Sequence, residues 1–203
     1  MLTVISMTLA FPLAIFVALG RRSNMPAIKT LCTLYVELVR GVPLITVLFM
    51  ASFMLPLFMP EGVKIDVLLR VVVGITLFSA AYMAEVIRGG LQALPKGQTE
   101  AAATLGLTYW QTQRMIVLPQ ALATVVPSIM NTFIGLFKDT TLVSFVGLLD
   151  PLRGVTTVVR ADINWKGIYW EPLLFVGAIF FIFCFAMSRY SMYLERKLKT
   201  DHR

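Results

Sequence analysis

Histidine, cysteine and charge are all scarce in this sequence. Its one histidine, His202, stands alone in a charged tail, and its two cysteines, Cys32 and Cys184, lie in dissimilar segments with neither CxxC nor metal-ligand spacing. No metal cluster or redox thiol pair is expected, only buried thiols and a solvated imidazole. There is no G-x-x-x-x-G-K-[ST] phosphate loop, and no nucleophile stands at a motif spacing from a base. An integral membrane enzyme is therefore disfavoured, and no cofactor is expected. Only 14% of the residues are charged, against about 25% in an average soluble domain. Acidic residues are the rarer sign, 11 against 18 Lys plus Arg, for a net charge of +7. The basic residues mostly flank apolar runs, which fits a membrane surface and not nucleic acid.

What fills the 203 residues is apolar: 58% are hydrophobic and the mean hydropathy is +0.79, a membrane protein's composition. The fold class expected is all-α, a membrane bundle of about five transmembrane helices. Leu2 to Leu19 is an uncharged run closed by Gly20-Arg21-Arg22, long enough at ~1.5 Å per residue to cross most of a ~30 Å hydrocarbon core. Its positive residues follow the apolar stretch, the reverse of a signal peptide, and the abrupt Met1 suggests residues ahead of it. Ser23 to Arg40 is expected to lie partly along the cytoplasmic interface. The second span is Val42 to Met59, interrupted by Pro43 and Pro56, and Pro60-Glu61-Gly62 makes an outer turn. The third runs from about Val67 to Ala84, with Arg70 placed to snorkel and Gly74, Ser79, Ala80, Ala81 and Ala84 as small packing residues. Glu85, Arg88, Gly89 and Gly90 then lead into a loop. The fourth span is Pro119 to Phe137, followed by a re-entrant or surface-lying helix over Leu142 to Leu149. After a polar stretch with interfacial aromatics at Trp165, Tyr169 and Trp170, Pro172 to Met192 is the fifth. Twelve of the 18 basic residues fall on one side and six on or toward the other, which puts the 95–119 loop and the C-terminus in the cytoplasm and the N-terminus outside.

The loop is the most informative stretch. Glu100 suits a helix's first turn, Ala101 to Ala103 are strong helix formers, and Gly106 can take the positive φ that ends a helix. Tyr109 to Val117 can form a second short helix, and Pro119 can open the next element. Glu100-Ala101-Ala102, Gly106 after three more residues, and Ile116-x-Leu118-Pro119 after nine resemble the cytoplasmic EAA loop of ABC importer permeases. The resemblance implies a type I permease fold. It also implies that Glu100, Ala101, Ala102, Gly106, Leu118 and Pro119 form a coupling helix that docks into a cleft on an ATPase subunit.

Further stretches are similar to the polar amino-acid branch of that family. They are Glu37-Leu38-Val39-Arg40-Gly41-Val42-Pro43-Leu44, Ala81-Tyr82-Met83-Ala84-Glu85-Val86-Ile87-Arg88-Gly89-Gly90 and Lys138-Asp139-Thr140-Thr141-Leu142. The nearest resemblance is to the M-type subunits of the general L-amino-acid permeases of Gram-negative bacteria. Those carry a longer N-terminal part, so a shortened form is expected here, and Thr141 stands where serine is more usual. What this implies is a single permease domain over 1–203 in the bacterial inner membrane. Its expected partners are ABC ATPase subunits, a second permease subunit, an extracytoplasmic amino-acid-binding protein and membrane lipid.

Two groups of ionisable residues are candidates for function. Glu85 and Arg88, three apart on one helical face, form either a local interfacial pair or part of a gate. Lys138 and Asp139 lie about 28 Å along a straight helix from Pro119, so they either cap it or line the solute pathway, with Thr140 and Thr141 as extra hydrogen-bond partners. The competing function is a self-sufficient secondary amino-acid transporter. No paired broken-helix repeats favour it, and five spans make a small ion-coupled carrier.

Overall fold

A computed structural model of the chain describes residues 1–60, 62, 64–165, 167–168 and 170–200. Glu61 of the expected outer turn, Lys166, Tyr169, His202 and Arg203 lie outside the described residues. All regular structure among the described residues is helical: α1 (Leu2–Arg21), α2 (Pro26–Arg40), α3 (Leu44–Phe49), α4 (Val67–Ala93), α5 (Gly97–Thr104), α6 (Tyr109–Thr112), α7 (Leu118–Asp139), α8 (Pro151–Ala161) and α9 (Trp170–Thr200), joined by shorter 3₁₀ and π turns. Four stretches are long and apolar enough to cross a bilayer: Leu2–Arg21, Val67–Ala93, Tyr109–Val146 and Trp170–Leu198. A fifth is a pair of helices, Pro26–Arg40 and Leu44–Phe58, bent by 102°. The number of spans matches the sequence expectation, but several bounds do not.

α4 is the axis of the bundle, packed against α1, α2, α3 and α7. Asp66 caps it by accepting from the Leu68 N–H at 2.7 Å. The expected small residues Gly74, Ser79, Ala80, Ala81 and Ala84 are all buried on it, where they let neighbouring helices approach. It does not stop at Ala84. It continues through Glu85, Arg88, Gly89 and Gly90, so these residues belong to the helix and not to the loop lead-in.

The second span departs furthest from expectation. Pro43 opens α3 in an extended conformation, and with Gly41 it makes the sharp corner after α2. α3 then widens into a π turn (Met50–Met54) and tightens into a 3₁₀ turn (Leu55–Phe58). Pro56 has no N–H to return to Ser52, four residues back, and Arg70 Nη1 donates to the Ser52 carbonyl instead. Arg70 therefore does not snorkel outward. A carbonyl freed by a proline draws it into the protein.

Two further corrections concern the fourth span. Tyr109 to Val117 is not a separate helix. Thr108 and Gln111 form a capping box ahead of α6, and the helix then runs without a break through a π turn (Gln113–Val117) into α7. Pro119 stands in the first turn of α7, as expected, with the π turn directly before it. At the far end, Leu142 to Leu149 is no detached re-entrant helix. A 3₁₀ turn (Thr140–Val146) prolongs α7 until Gly147, at φ +91°, stops it. α8 occupies the polar stretch, capped by buried Asp150. α9 is longer than the Pro172–Met192 span expected from the sequence.

Candidate functional site

The loop folds as its residues require. α5 carries Glu100 in its first turn and ends in a glycine-terminated reversal, with Gly106 at φ +74°. There the Gly106 N–H donates to the Ala103 carbonyl at 3.0 Å and the Leu107 N–H to the Ala102 carbonyl at 3.2 Å. Ala102 is buried at 1% exposure and α5 packs on the π turn below it, so Ala102 is the anchor of this helix and not part of the face it presents. Its small side chain lets α5 lie close. Gln120 Nε2 donates to Gln98 Oε1 at 3.1 Å and ties α5 to α7. Glu100, Ala101, Gly106 and Pro119 are exposed, while Leu118 is half-buried. Beside them stand the exposed side chains of Leu105, Tyr109, Trp110 and Met115. An apolar group of this kind, rimmed by polar residues, marks an interaction surface.

Above the loop, Glu85 is the centre of a charge network that draws in three helices. Its Oε2 accepts from Arg21 Nη1 on α1 at 2.5 Å and from Arg88 Nε at 3.1 Å, and its Oε1 from Arg88 Nη2. Arg40 on α2 stands 3.8 Å away with its guanidinium over the Tyr82 ring, and Arg21 Nη2 donates to Glu37 at 3.0 Å. The Glu85–Arg88 pair foreseen from helical spacing is therefore present, but as part of something larger. Arg21, Glu37 and Arg40 were missed because partners 16 to 64 residues apart leave no periodic signal. Arg22 adds a related tie, donating to the Leu91 carbonyl at 2.8 Å.

The third group lies at the far end of α7. Asp139 lines a cavity of about 260 Å³ together with Phe78, Ser79, Tyr82, Thr132 and Leu136, between α4 and α7. Ser79 Oγ in its wall is buried without a hydrogen-bond partner, the condition of a group that receives a ligand or water. Helix pattern alone marks Ser79 as a small packing residue, because it does not separate the two uses of a serine. Lys138 is exposed beside Asp139 and is not among the residues lining this cavity. Thr140 and Thr141 return their hydroxyls to the carbonyls of Phe137 and Lys138 at 2.7 and 3.0 Å, so both serve the helix end.

The chain as a whole is similar to known transport proteins. The family described as the binding-protein-dependent transport system inner membrane component matches residues 10–200. The chain is 62% identical over 200 residues to the glutamate/glutamine/aspartate/asparagine transport system permease protein BztC of Rhodobacter capsulatus, covering 98% of this chain and 46% of the relative. It is 56% identical over 191 residues to the inner membrane amino-acid ABC transporter permease protein YhdY of Escherichia coli, covering 94% and 52%. The chain thus spans about half the length of these two relatives. A solved structure described as an amino acid ABC transporter with histidines superposes with a TM-score of 0.82 at 32% identity, over 97% of this chain and 88% of that one. An inward-facing form of the MetNI methionine ABC transporter shares the fold, with a TM-score of 0.74 at 21% identity over 97% and 91%.

Proposed function

The chain belongs to the family of binding-protein-dependent transport system inner membrane components, and on that premise we propose that it is a permease subunit of an ATP-driven importer of L-amino acids. The observation that carries the reading is the loop: a short helix anchored by Ala102 and turned by Gly106, with Leu105, Tyr109 and Trp110 left uncovered beside it. A self-sufficient carrier has no use for such a surface, whereas a subunit driven by a separate ATPase requires one. In this reading ATP is hydrolysed on that other chain. A second permease subunit completes the pathway, and an extracytoplasmic binding protein delivers the solute. The whole of 1–203 acts as one permease domain in the bacterial inner membrane, with 95–119 as its coupling loop. The excess of basic residues on the loop side supports a cytoplasmic loop and C-terminus and an outer N-terminus.

A zwitterion cannot cross the bilayer alone, because removing even one ion from water costs several kcal/mol after relaxation. The pathway must supply partners for both charges. We assign this task to the end of α7, with the Asp139 carboxylate in the cavity facing the solute's ammonium and Lys138, exposed beside it and outside the cavity lining, reaching for its carboxylate. Ser79 and Tyr82 add hydrogen bonds from the opposite wall. Glutamate, glutamine, aspartate and asparagine, named for the Rhodobacter relative, are the first solutes to test.

The test is uptake of that labelled panel into proteoliposomes containing this chain with its co-expressed ATPase and binding protein. ATP-dependent uptake is expected, and ATP-independent accumulation driven by an ion gradient would overturn the proposal. Lys138→Met and Asp139→Asn should each lower uptake about tenfold or more, the loss of a charge-assisted contact, with complex assembly and basal ATPase activity unchanged. Unaltered rate and apparent affinity in both variants would move the solute site elsewhere. Gly106→Val should leave insertion intact and uncouple ATPase stimulation from uptake, because a β-branched residue resists φ +74°. Normal coupling in a well-expressed Gly106→Val protein would remove the loop from the mechanism.

A further inference from the structure

Arg70 lies one turn inside α4, and its guanidinium is only partly satisfied. Nη1 donates to the Ser52 carbonyl, but Nε is buried with no hydrogen-bond partner. Among the described residues no carboxylate lies within salt-bridge distance of it, and its neighbour Asp66 is engaged in capping Leu68. Ser52 Oγ, on the same residue that holds Arg70, is also buried and without a partner. A cation near the end of a membrane-spanning helix, with no carboxylate partner and an apolar cavity before it, is matched by an anion.

Arg70 is also the one charged residue lining a cavity of about 720 Å³ between α2, the second span and α4. This cavity runs from Tyr35 and Val42 at the α2–α3 corner to Leu55 and Phe58 at the other end, and its walls are otherwise almost entirely apolar. Its volume is that of a ligand site, at roughly 300–1,000 Å³. A polar amino acid would lose its hydration along most of that length without recompense. The occupant that fits is long and apolar with one anionic end. We propose that the cavity binds an anionic phospholipid from the surrounding bilayer, with an acyl chain along the Val42–Phe58 wall and its phosphate on the Arg70 guanidinium. Guanidinium suits this role because its planar fork meets phosphate oxygens two at a time. The site depends on the chain spanning a bilayer and is independent of which solute is carried.

The experiment uses the full chain in nanodiscs of phosphatidylcholine doped with phosphatidylglycerol. Retained lipid is counted by native mass spectrometry, and the thermal midpoint is followed in parallel. Wild type should retain phosphatidylglycerol about tenfold over phosphatidylcholine and melt higher in its presence, and Arg70→Met should lose both preferences. Because Arg70 also holds the Ser52 carbonyl, a second variant, Val73→Trp, fills the apolar part of the cavity one turn along α4 from Arg70 and keeps the cation. It should displace phosphatidylglycerol while raising the melting midpoint in pure phosphatidylcholine. Equal retention of the two lipids by wild type would overturn the proposal. So would a Phe58→Cys disulfide between two copies in the lipid bilayer, which would show that protein and not lipid covers this wall.

Discussion

Gly90→Ala should destabilise the chain by about 1–3 kcal/mol, whereas the same change one residue earlier, Gly89→Ala, should be neutral or mildly stabilising. A Cβ at Gly90 would stand 2.6 Å from Val125 Cγ1 and 2.7 Å from the Ala121 carbonyl oxygen. The valine can rotate, but a main-chain oxygen can yield only if α7 itself moves. At Gly89 an added Cβ meets nothing within 4 Å. Both sites are helical, so alanine gains about 1 kcal/mol of helix propensity at either one, and the clash must exceed that gain to show. The crossing of α4 and α7 at Gly90 is also the point below which both helices feed the 95–119 loop, to which the proposed function gives the coupling role. A shift there should therefore reduce coupling as well as stability. Thermal unfolding of both variants in nanodiscs, with ATPase stimulation in the assembled complex, checks this. Equal midpoints for the two alanine variants would show that the close approach carries no weight.

The sequence reading succeeded where local chemistry decides. Gly106 had to take a positive φ because nothing else in its stretch could turn the chain, and Glu100, at the start of an alanine run, had only one end of a helix to suit. Uncharged runs of helical length had to become spans. It failed where a residue's conformation depends on a partner far away. Pro56 interrupts the second span as expected, but which neighbour meets the freed Ser52 carbonyl was not legible: it is Arg70, 18 residues on from Ser52. Pro119 stands in the first turn of α7 as expected, and what the sequence did not show is the π turn that joins α7 to α6 without a break. Ser79 shows the same limit at the cavity between α4 and α7. Its spacing said that it was buried, and only the arrangement of α4 against α7 said that its hydroxyl had been left without a partner.

Glu85→Ala should be the most damaging change in the charge network, and Glu37→Ala nearly silent, although both remove a carboxylate that accepts from Arg21. Glu85 has its side chain 25% exposed and gathers three arginines from α1, α2 and α4, whereas Glu37 is 60% exposed and holds one. Removing one partner of a fully buried pair costs about 3–5 kcal/mol, and partial exposure reduces this to roughly 1–3 kcal/mol for Glu85. An exposed pair such as that of Glu37 is worth about 0–1 kcal/mol. With Glu85 gone, Arg21 at 11% exposure and Arg88 would repel each other across the helix junction, with little water to screen them. Glu85→Gln separates charge from shape: the amide keeps one acceptor but points a donor at guanidinium donors, so it should recover packing and not the network. Any motion of α1 or α2 against α4 must break these bonds, so a gating role predicts that loosening them changes the resting state of the transporter. In the assembled transporter Glu85→Gln should therefore raise resting ATPase activity and lower the midpoint of thermal unfolding, while Glu37→Gln changes neither. Resting activity and midpoint both at the wild-type level in Glu85→Gln would reduce the cluster to a set of interfacial ion pairs with no part in gating.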